Sequence, residues 1–185
     1  MNRGGAPPRS GARAGLYATA IGIALALAST LAWAADTSLP TVAVMPFELV
    51  DEQHELAPAT SEYTRLDGLT QLMRQELESH GIYRTVDTAP AKDLIGRLSS
   101  TQNLRECNGC ELDIGHALGS DRVLLGWVQK VSNLILNVNI RIEDVADGRV
   151  VLQKSVDIRS NTEDSWRRGV KAMIQDMLDR HQIGR

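Results

Sequence analysis

The sequence predicts an α/β domain of the α+β kind, built on a mixed five-stranded sheet in the order β-α-β-α-α-β-β-β-α. Three observations predict it. An apolar, strand-like opening at Thr41–Phe47 is followed by a helix-period segment and a second short strand-like segment, the pattern of a parallel crossover. Three long alternating segments then follow one another with turn-sized breaks, the pattern of an antiparallel meander. A helix-period stripe closes the chain. Crossovers early and a meander late give one mixed sheet with helices packed mainly on one face.

The chain has 185 residues, and residues 1–34 read as a signal peptide. Arg3, Arg9 and Arg13 precede an apolar run from Leu16 to Trp33, which ends in Ala32-Trp33-Ala34. A positive flank, an apolar centre and an Ala-x-Ala site are the parts of a secretory signal, so cleavage is expected after Ala34. The rival is an uncleaved anchor, but the run is rich in Ala and Gly and interrupted by Ser and Thr. No Cys stands at the cleavage site and no Arg pair precedes the run, so neither lipidation nor a twin-Arg route is supported. Residues 35–185 then form one domain, periplasmic, with no membrane span after cleavage. Losing the three Arg leaves 17 Lys and Arg against 23 Asp and Glu, a formal net charge of −6. That balance counts against nucleic acid as a partner.

The first strand, Thr41-Val42-Ala43-Val44-Met45-Pro46-Phe47, alternates and then runs apolar, with Pro46 near its end. Residues 50–60 are polar and read as a loop. Helix one spans about 61–80, with Leu66, Leu69, Met73 and Leu77 on one face. Gly81 stands where a helix end favours a left-handed residue. A short strand at 82–87 follows, then a helix at about 91–99 and another at about 110–118, stopped by Gly119.

Strands are expected at 121–131, 134–145 and 149–159. A two-residue turn at Ser132-Asn133 pairs Trp127 with Val138, Leu125 with Ile140 and Val123 with Ile142, one apolar face. A three-residue loop with Gly148 left-handed pairs Val138 with Val156, Ile142 with Leu152 and Leu136 with Ile158. It leaves Lys154 opposite Ile140, a defect. The last helix begins near Asn161-Thr162, carries Glu163 and Asp164 in its first turn, and buries Trp166, Val170, Met173, Ile174, Met177 and Leu178.

This order, with Val42-Ala43-Val44-Met45-Pro46-Phe47 and Gly81-Ile82-Tyr83-Arg84-Thr85-Val86-Asp87, resembles the TolB amino-terminal domain. It is also similar to domains of outer-membrane accessory lipoproteins, such as the curli secretion lipoprotein and penicillin-binding-protein activators. A closer resemblance is to a family of predicted secreted bacterial proteins known only as a domain of unknown function. Its carriers are Cys107-Asn108-Gly109-Cys110, Gly126–Leu136 and Asp157–Arg167. The wider group implies a non-enzymatic, periplasmic, partner-binding module. No β-propeller follows the domain, so TolB's own role does not carry over.

Three candidate sites emerge. Cys107 and Cys110, in an exported chain, read first as a structural disulfide, second as a redox pair and third as half a metal site. Arg105-Glu106 precede the motif and Glu111 follows it, unlike thioredoxin-type or haem-attachment motifs. Of the nearest other ligands, Asp113 and His116, the His points about 120° around the helix from Cys110, so one metal centre is awkward. No metal or cofactor is expected.

The second candidate is the polar face of the late sheet. Asn137 lies opposite Asp157, Asn139 opposite Ser155 and Arg141 opposite Gln153, with Lys130, Asn133 and Arg159 at one end. Leu124, Val128, Ile135 and Val151 are expected on that face, with Gly126 opening a gap in it. A mixed apolar and hydrogen-bonding face suits a partner surface, although a solvated sheet face has the same composition. The third is the adjoining corner of Asp157, Arg159, Asn161, Asp164, Trp166, Arg167 and Arg168, read as a helix cap or an anion-binding corner. The four His are dispersed, and no nucleophile elbow, zincin, P-loop or dinucleotide motif is present.

The resulting reading is a non-enzymatic periplasmic accessory protein that binds a periplasmic or outer-membrane-associated protein. The alternative is a thiol–disulfide or metal-handling protein using Cys107 and Cys110.

Overall fold

The computed structural model describes residues 38–52 and 60–183, so the expected signal segment and its cleavage site lie outside the described residues. Strand β1, Thr41–Val44, is parallel to β3, Arg84–Thr85, on one side and to β4, Arg122–Lys130, on the other. Strand β5, Ile135–Asp144, and β6, Val150–Arg159, continue the sheet antiparallel, giving the order β3-β1-β4-β5-β6.

A sixth strand departs from the expected five. Strand β2, Glu48–Asp51, also runs parallel to β4, where residues 50–60 had read as loop from their polarity. Val44 pairs with Leu124 and Glu48 with Trp127, so one extra residue bulges between β1 and β2. Pro46, which cannot donate to a ladder, stands in that bulge. The Phe47 N–H leaves the sheet and donates to Thr70 Oγ1 at 3.0 Å.

The two long helices are α1, Thr60–Ser79, and α4, Glu163–Ile183. Both lie on one sheet face, as expected. Leu66, Leu69, Met73 and Leu77 of α1 and Trp166, Val170, Met173 and Ile174 of α4 close a core over Val42, Val44, Leu124, Val128, Leu136, Val138, Ile140, Ile142 and Ile158. Helix α1 ends with Gly81 at φ +61°, its N–H on Glu78 O and that of Ile82 on Leu77 O, a Schellman closure. A Cβ on Gly169 of α4 would lie 2.7 Å from Ile158 Cγ2, so that glycine sets how closely α4 meets the sheet.

The short helices α2, Lys92–Ser99, and α3, Cys110–Leu118, cover part of the opposite face. With Leu104 they bury Ala43, Met45, Val123, Leu125 and Val145 in a second, smaller core. The helical cover is therefore unequal, and among the described residues β5 and β6 carry helices on one side only.

The β5–β6 register matches the expected one, including Val138 with Val156, Ile142 with Leu152 and Leu136 with Ile158, with Gly148 at φ +69°. Lys154 does lie opposite Ile140, and its ammonium reaches along the sheet to an ion pair with Asp176 of α4. The β4–β5 register is one residue away from the expected one. Val128 pairs with Val138, so Trp127 pairs with Asn139, Leu125 with Arg141 and Val123 with Glu143. The break is a four-residue loop, Val131–Leu134, closed by Ser132 Oγ accepting the Leu134 and Ile135 N–H groups at 3.2 and 3.1 Å. A one-residue slip turns every β4 side chain to the other face. Leu124, Val128 and Gly126 therefore face α1 and α4, and the gap at Gly126 is filled by the Phe47 ring, 2.4 Å from where a Cβ would stand.

Candidate functional site

The residues expected to form one binding surface occupy three places. The first is a buried lock at the N-terminal ends of α1 and α4. Lys130 pairs with Leu136 and points toward α1, where Nζ meets Asp51 Oδ2 at 3.1 Å and Glu62 Oε1 at 3.0 Å. Its side chain is 13% exposed and that of Glu62 5%. Burial alone would lower the Lys130 pKa, but the hydrogen bonds and charges of Glu62 and Asp51 outweigh it and raise the value. Asn161 donates to Glu62 Oε1 at 2.7 Å and to Asn133 Oδ1 at 3.1 Å, and accepts from Arg65 at 2.6 Å. The Arg65 guanidinium lies 5.3 Å from the Trp166 ring centroid, and Trp166 is fully buried.

Lys130, Asn161 and Trp166 therefore join β2, β4, α1 and α4, with Trp166 buried and the polar atoms of Lys130 and Asn161 engaged within the fold. The cap of α4 is Thr162, whose Oγ1 accepts the Ser165 N–H at 3.3 Å, so Asn161 is engaged elsewhere than in the expected cap. Arg168 is paired with Asp164. Arg167 is separate, on the wall of a groove of about 560 Å³ between α1 and α4, with Ser61, Arg65, Gly68 and Glu163.

The second place is the open face of β4–β6. Asn137 lies opposite Asp157, Asn139 opposite Ser155 and Arg141 opposite Gln153, as expected, and Ile135 lies opposite Arg159; Asn139 is buried. With its amide turned to satisfy its hydrogen bonds, Asn137 donates to Asp157 Oδ1 at 2.7 Å. The β4 register replaces Leu124 and Val128 on this face with Trp127 and Gln129. Trp127, expected on the apolar face, thus joins the polar one with the rest of its β4 row. At one end Asn133 is exposed in the loop, beside Leu134, 70% exposed, and Ile135, 51% exposed.

The third place is the Cys107–Cys110 disulfide, with Cα atoms 5.7 Å apart. Asn108 at φ +51° and Gly109 at φ +118° turn the chain between the two sulfurs, and Cys110 starts α3 in the smaller core. The sequence reading passed over its neighbour Glu111. That carboxylate is 5% exposed, accepts the Gly109 N–H at 3.1 Å, and lies near the Glu143 carboxyl. Burial raises the Glu143 pKa, and Arg141, ion-paired with it, opposes that rise. Arg105 lies beside them, paired with Glu106 at 2.9 Å and facing Glu48 at 3.7 Å. Burial likewise raises the Glu48 pKa, against the Leu104 N–H that donates to it. Arg105, Glu111, Arg141 and Glu143 border a cavity of about 440 Å³. Adjacency to Cys110 was the available signal for Glu111; the proximity of Glu143, 32 positions along the chain, was not readable.

Six mixed strands between unequal helix layers, the lesser one clipped by a disulfide, define a small α+β domain in which, among the described residues, one face of β5 and β6 is bare of helix. The chain belongs to the family described as Protein of unknown function (DUF2380), whose profile matches residues 40–178. No curated protein matches it in sequence. Among solved structures it is similar to lipoprotein GNA1162 from Neisseria meningitidis, at TM-score 0.50 and 17% identity, over 78% of this chain and 96% of that one. It is also similar to E. coli LpoB, at TM-score 0.49 and 13% identity, over 66% of this chain and 59% of that one. TolB from Acinetobacter baumannii matches at TM-score 0.40 and 16% identity, over 68% of this chain and 24% of that one. These likenesses are of fold. Among the described residues no helix is long and apolar enough to cross a membrane.

Proposed function

We propose that this protein is a non-enzymatic accessory protein of the periplasm that binds a protein partner through the open face of β4–β6. One observation carries the reading: among the described residues no helix covers the β5–β6 part of this face, yet it sets Trp127 and Ile135 among Asn137, Asp157 and Arg159. Aromatic and aliphatic groups ringed by hydrogen-bonding side chains are the composition of an interface that forms and releases. The exposed loop at Asn133 and Leu134 extends it. Lys130, Asn161 and Trp166 hold that end of the sheet rigid rather than touching the partner. Arg167 and its groove stand apart from the face. A signal peptide at 1–34 supports the location.

A photo-crosslinking residue at Ile135 or Asp157 tests this in cells of the source organism. One defined adduct is expected from both positions and none from Lys171, exposed on α4. Adducts of equal yield from Lys171 would sink the reading. Asn137→Ala with Arg159→Ala is expected to abolish the adduct while leaving the melting temperature unchanged.

A further inference from the structure

The Cys107–Cys110 bond has more polar company than a structural clip requires. Glu111 Oε2 lies 3.3 Å from Cys107 Sγ. A thiol at that distance would donate its proton to the carboxylate, but a disulfide sulfur has none to donate. In the oxidised chain a buried carboxylate therefore faces a sulfur lone pair, with the Gly109 N–H as its compensation. Burying a carboxylate is costly, and the one hydrogen bond it gives the turn of the clip offsets only part of that cost.

The same three side chains have the geometry of a metal site. One ligand atom from each of Cys107, Cys110 and Glu111 lies within 4.8 Å of the other two. Ligands bonded to a tetrahedral zinc ion at roughly 2.0–2.3 Å stand about 3.3–3.8 Å apart, so small shifts suffice once the sulfurs are separate. The neighbouring cations already have carboxylates of their own: Arg141 has Glu143, and Arg105 has Glu106 and Glu48. Among the described residues Glu111 takes part in no ion pair, so its charge remains for a metal ion. The hydrogen bond from the Gly109 N–H fixes its orientation, as outer-sphere groups do at metal sites.

We propose that reduction converts the Cys107–Cys110 clip into a binding site for a zinc-class divalent ion, with Cys107 Sγ, Cys110 Sγ and one Glu111 oxygen as ligands and a fourth position open to water. A dithiol reductant supplies two electrons and two protons and leaves as its own disulfide, while the chain gains two thiols. The ion then displaces both thiol protons to solvent and binds the thiolates. Thiolate ligands select zinc over magnesium or calcium. The site is thus redox-gated: the oxidised chain has a clip, and the reduced chain a metal centre.

The test compares oxidised and reduced full-length chain, freed of reductant without oxygen and titrated with zinc alone. The reduced chain is expected to retain about one ion per chain and the oxidised chain none. Cobalt in place of zinc is expected to give thiolate-to-metal charge-transfer absorption in the reduced chain only. Glu111→Gln, folded as the disulfide and then reduced, is expected to bind at least about tenfold more weakly. If reduction loosens the fold, zinc is expected to restore the native near-ultraviolet circular dichroism. Equal retention by both redox states, no retention by either, undiminished affinity in Glu111→Gln, or a loosened fold that zinc does not restore would each overturn the proposal.

Discussion

The two faces of the sheet are sealed by different means. On one, two helices of 20 and 21 residues bury a continuous apolar core, and the charged groups Asp51, Lys130 and Glu62 at its margin form a lock closed by the Asn161 amide. On the other, helices of eight and nine residues cover only the β1–β4 half, helped by a disulfide, and charged groups crowd where the cover ends. Long amphipathic helices exclude water by area, whereas short ones need a staple and leave strands bare. The sealed face therefore carries stability, and the half-sealed face has room for ligands.

Substitutions can break or sharpen that contrast. Trp166→Ala on the sealed face is expected to cost about 3–5 kcal/mol, measured by urea unfolding, because a fully buried indole leaves a large cavity. A loss under about 1 kcal/mol would mean that the α1–α4 core is not where stability resides. Lys130→Met comes next, at about 2 kcal/mol. It removes the ammonium from buried Glu62, which keeps its hydrogen bond from Asn161, and partial exposure of Asp51 softens the cost. On the half-sealed face, Cys107→Ser with Cys110→Ser is expected to lose about 2 kcal/mol or less, since the loop that the disulfide closes is short.

Glu48 supplies a pH effect smaller than these. Burial raises its folded pKa above 4.5, so the folded chain holds that proton more tightly than the unfolded chain. Its contribution to stability therefore becomes more favourable as pH falls through the folded value toward 4.5, and is flat below. Glu48→Gln is expected to flatten that part of the melting profile. A steeper profile in the variant would reverse the assignment. Least of all, Asn137→Ala with Arg159→Ala on the bare strands is expected to change stability by no more than about 0.5 kcal/mol in thermal melts. A larger loss would show that the open face is a structural surface.

The two hairpins show how much was legible. Strand β6 alternates and Gly148 admits one left-handed position, so only one β5–β6 register keeps faces consistent, and it is the register observed. Strand β4 is apolar on both sides, Val123 and Leu125 toward α2 and α3, Leu124 and Val128 toward α1 and α4. Either register then looks acceptable, and a Ser132 side chain capping its own loop decided between them. That slip moved Trp127 onto the open face and sent Lys130 inward. Strand β2 was missed because Glu48 and Asp51 look like loop residues until Arg105 and Lys130 are seen beside them.

By itself the sequence determined the kinds and order of nearly all elements, the helix faces, the left-handed glycines after α1 and α3 and in the β5–β6 turn, and the disulfide pair. These follow from periodicity and backbone sterics, which act within a few residues. Only the tertiary structure decided which face each β4 side chain takes, that Asn161 closes a buried lock, and that Glu111 meets both a disulfide and Glu143. Those outcomes depend on partners tens of residues away, and a strand buried on both faces carries no local mark of which partner each side chain will meet.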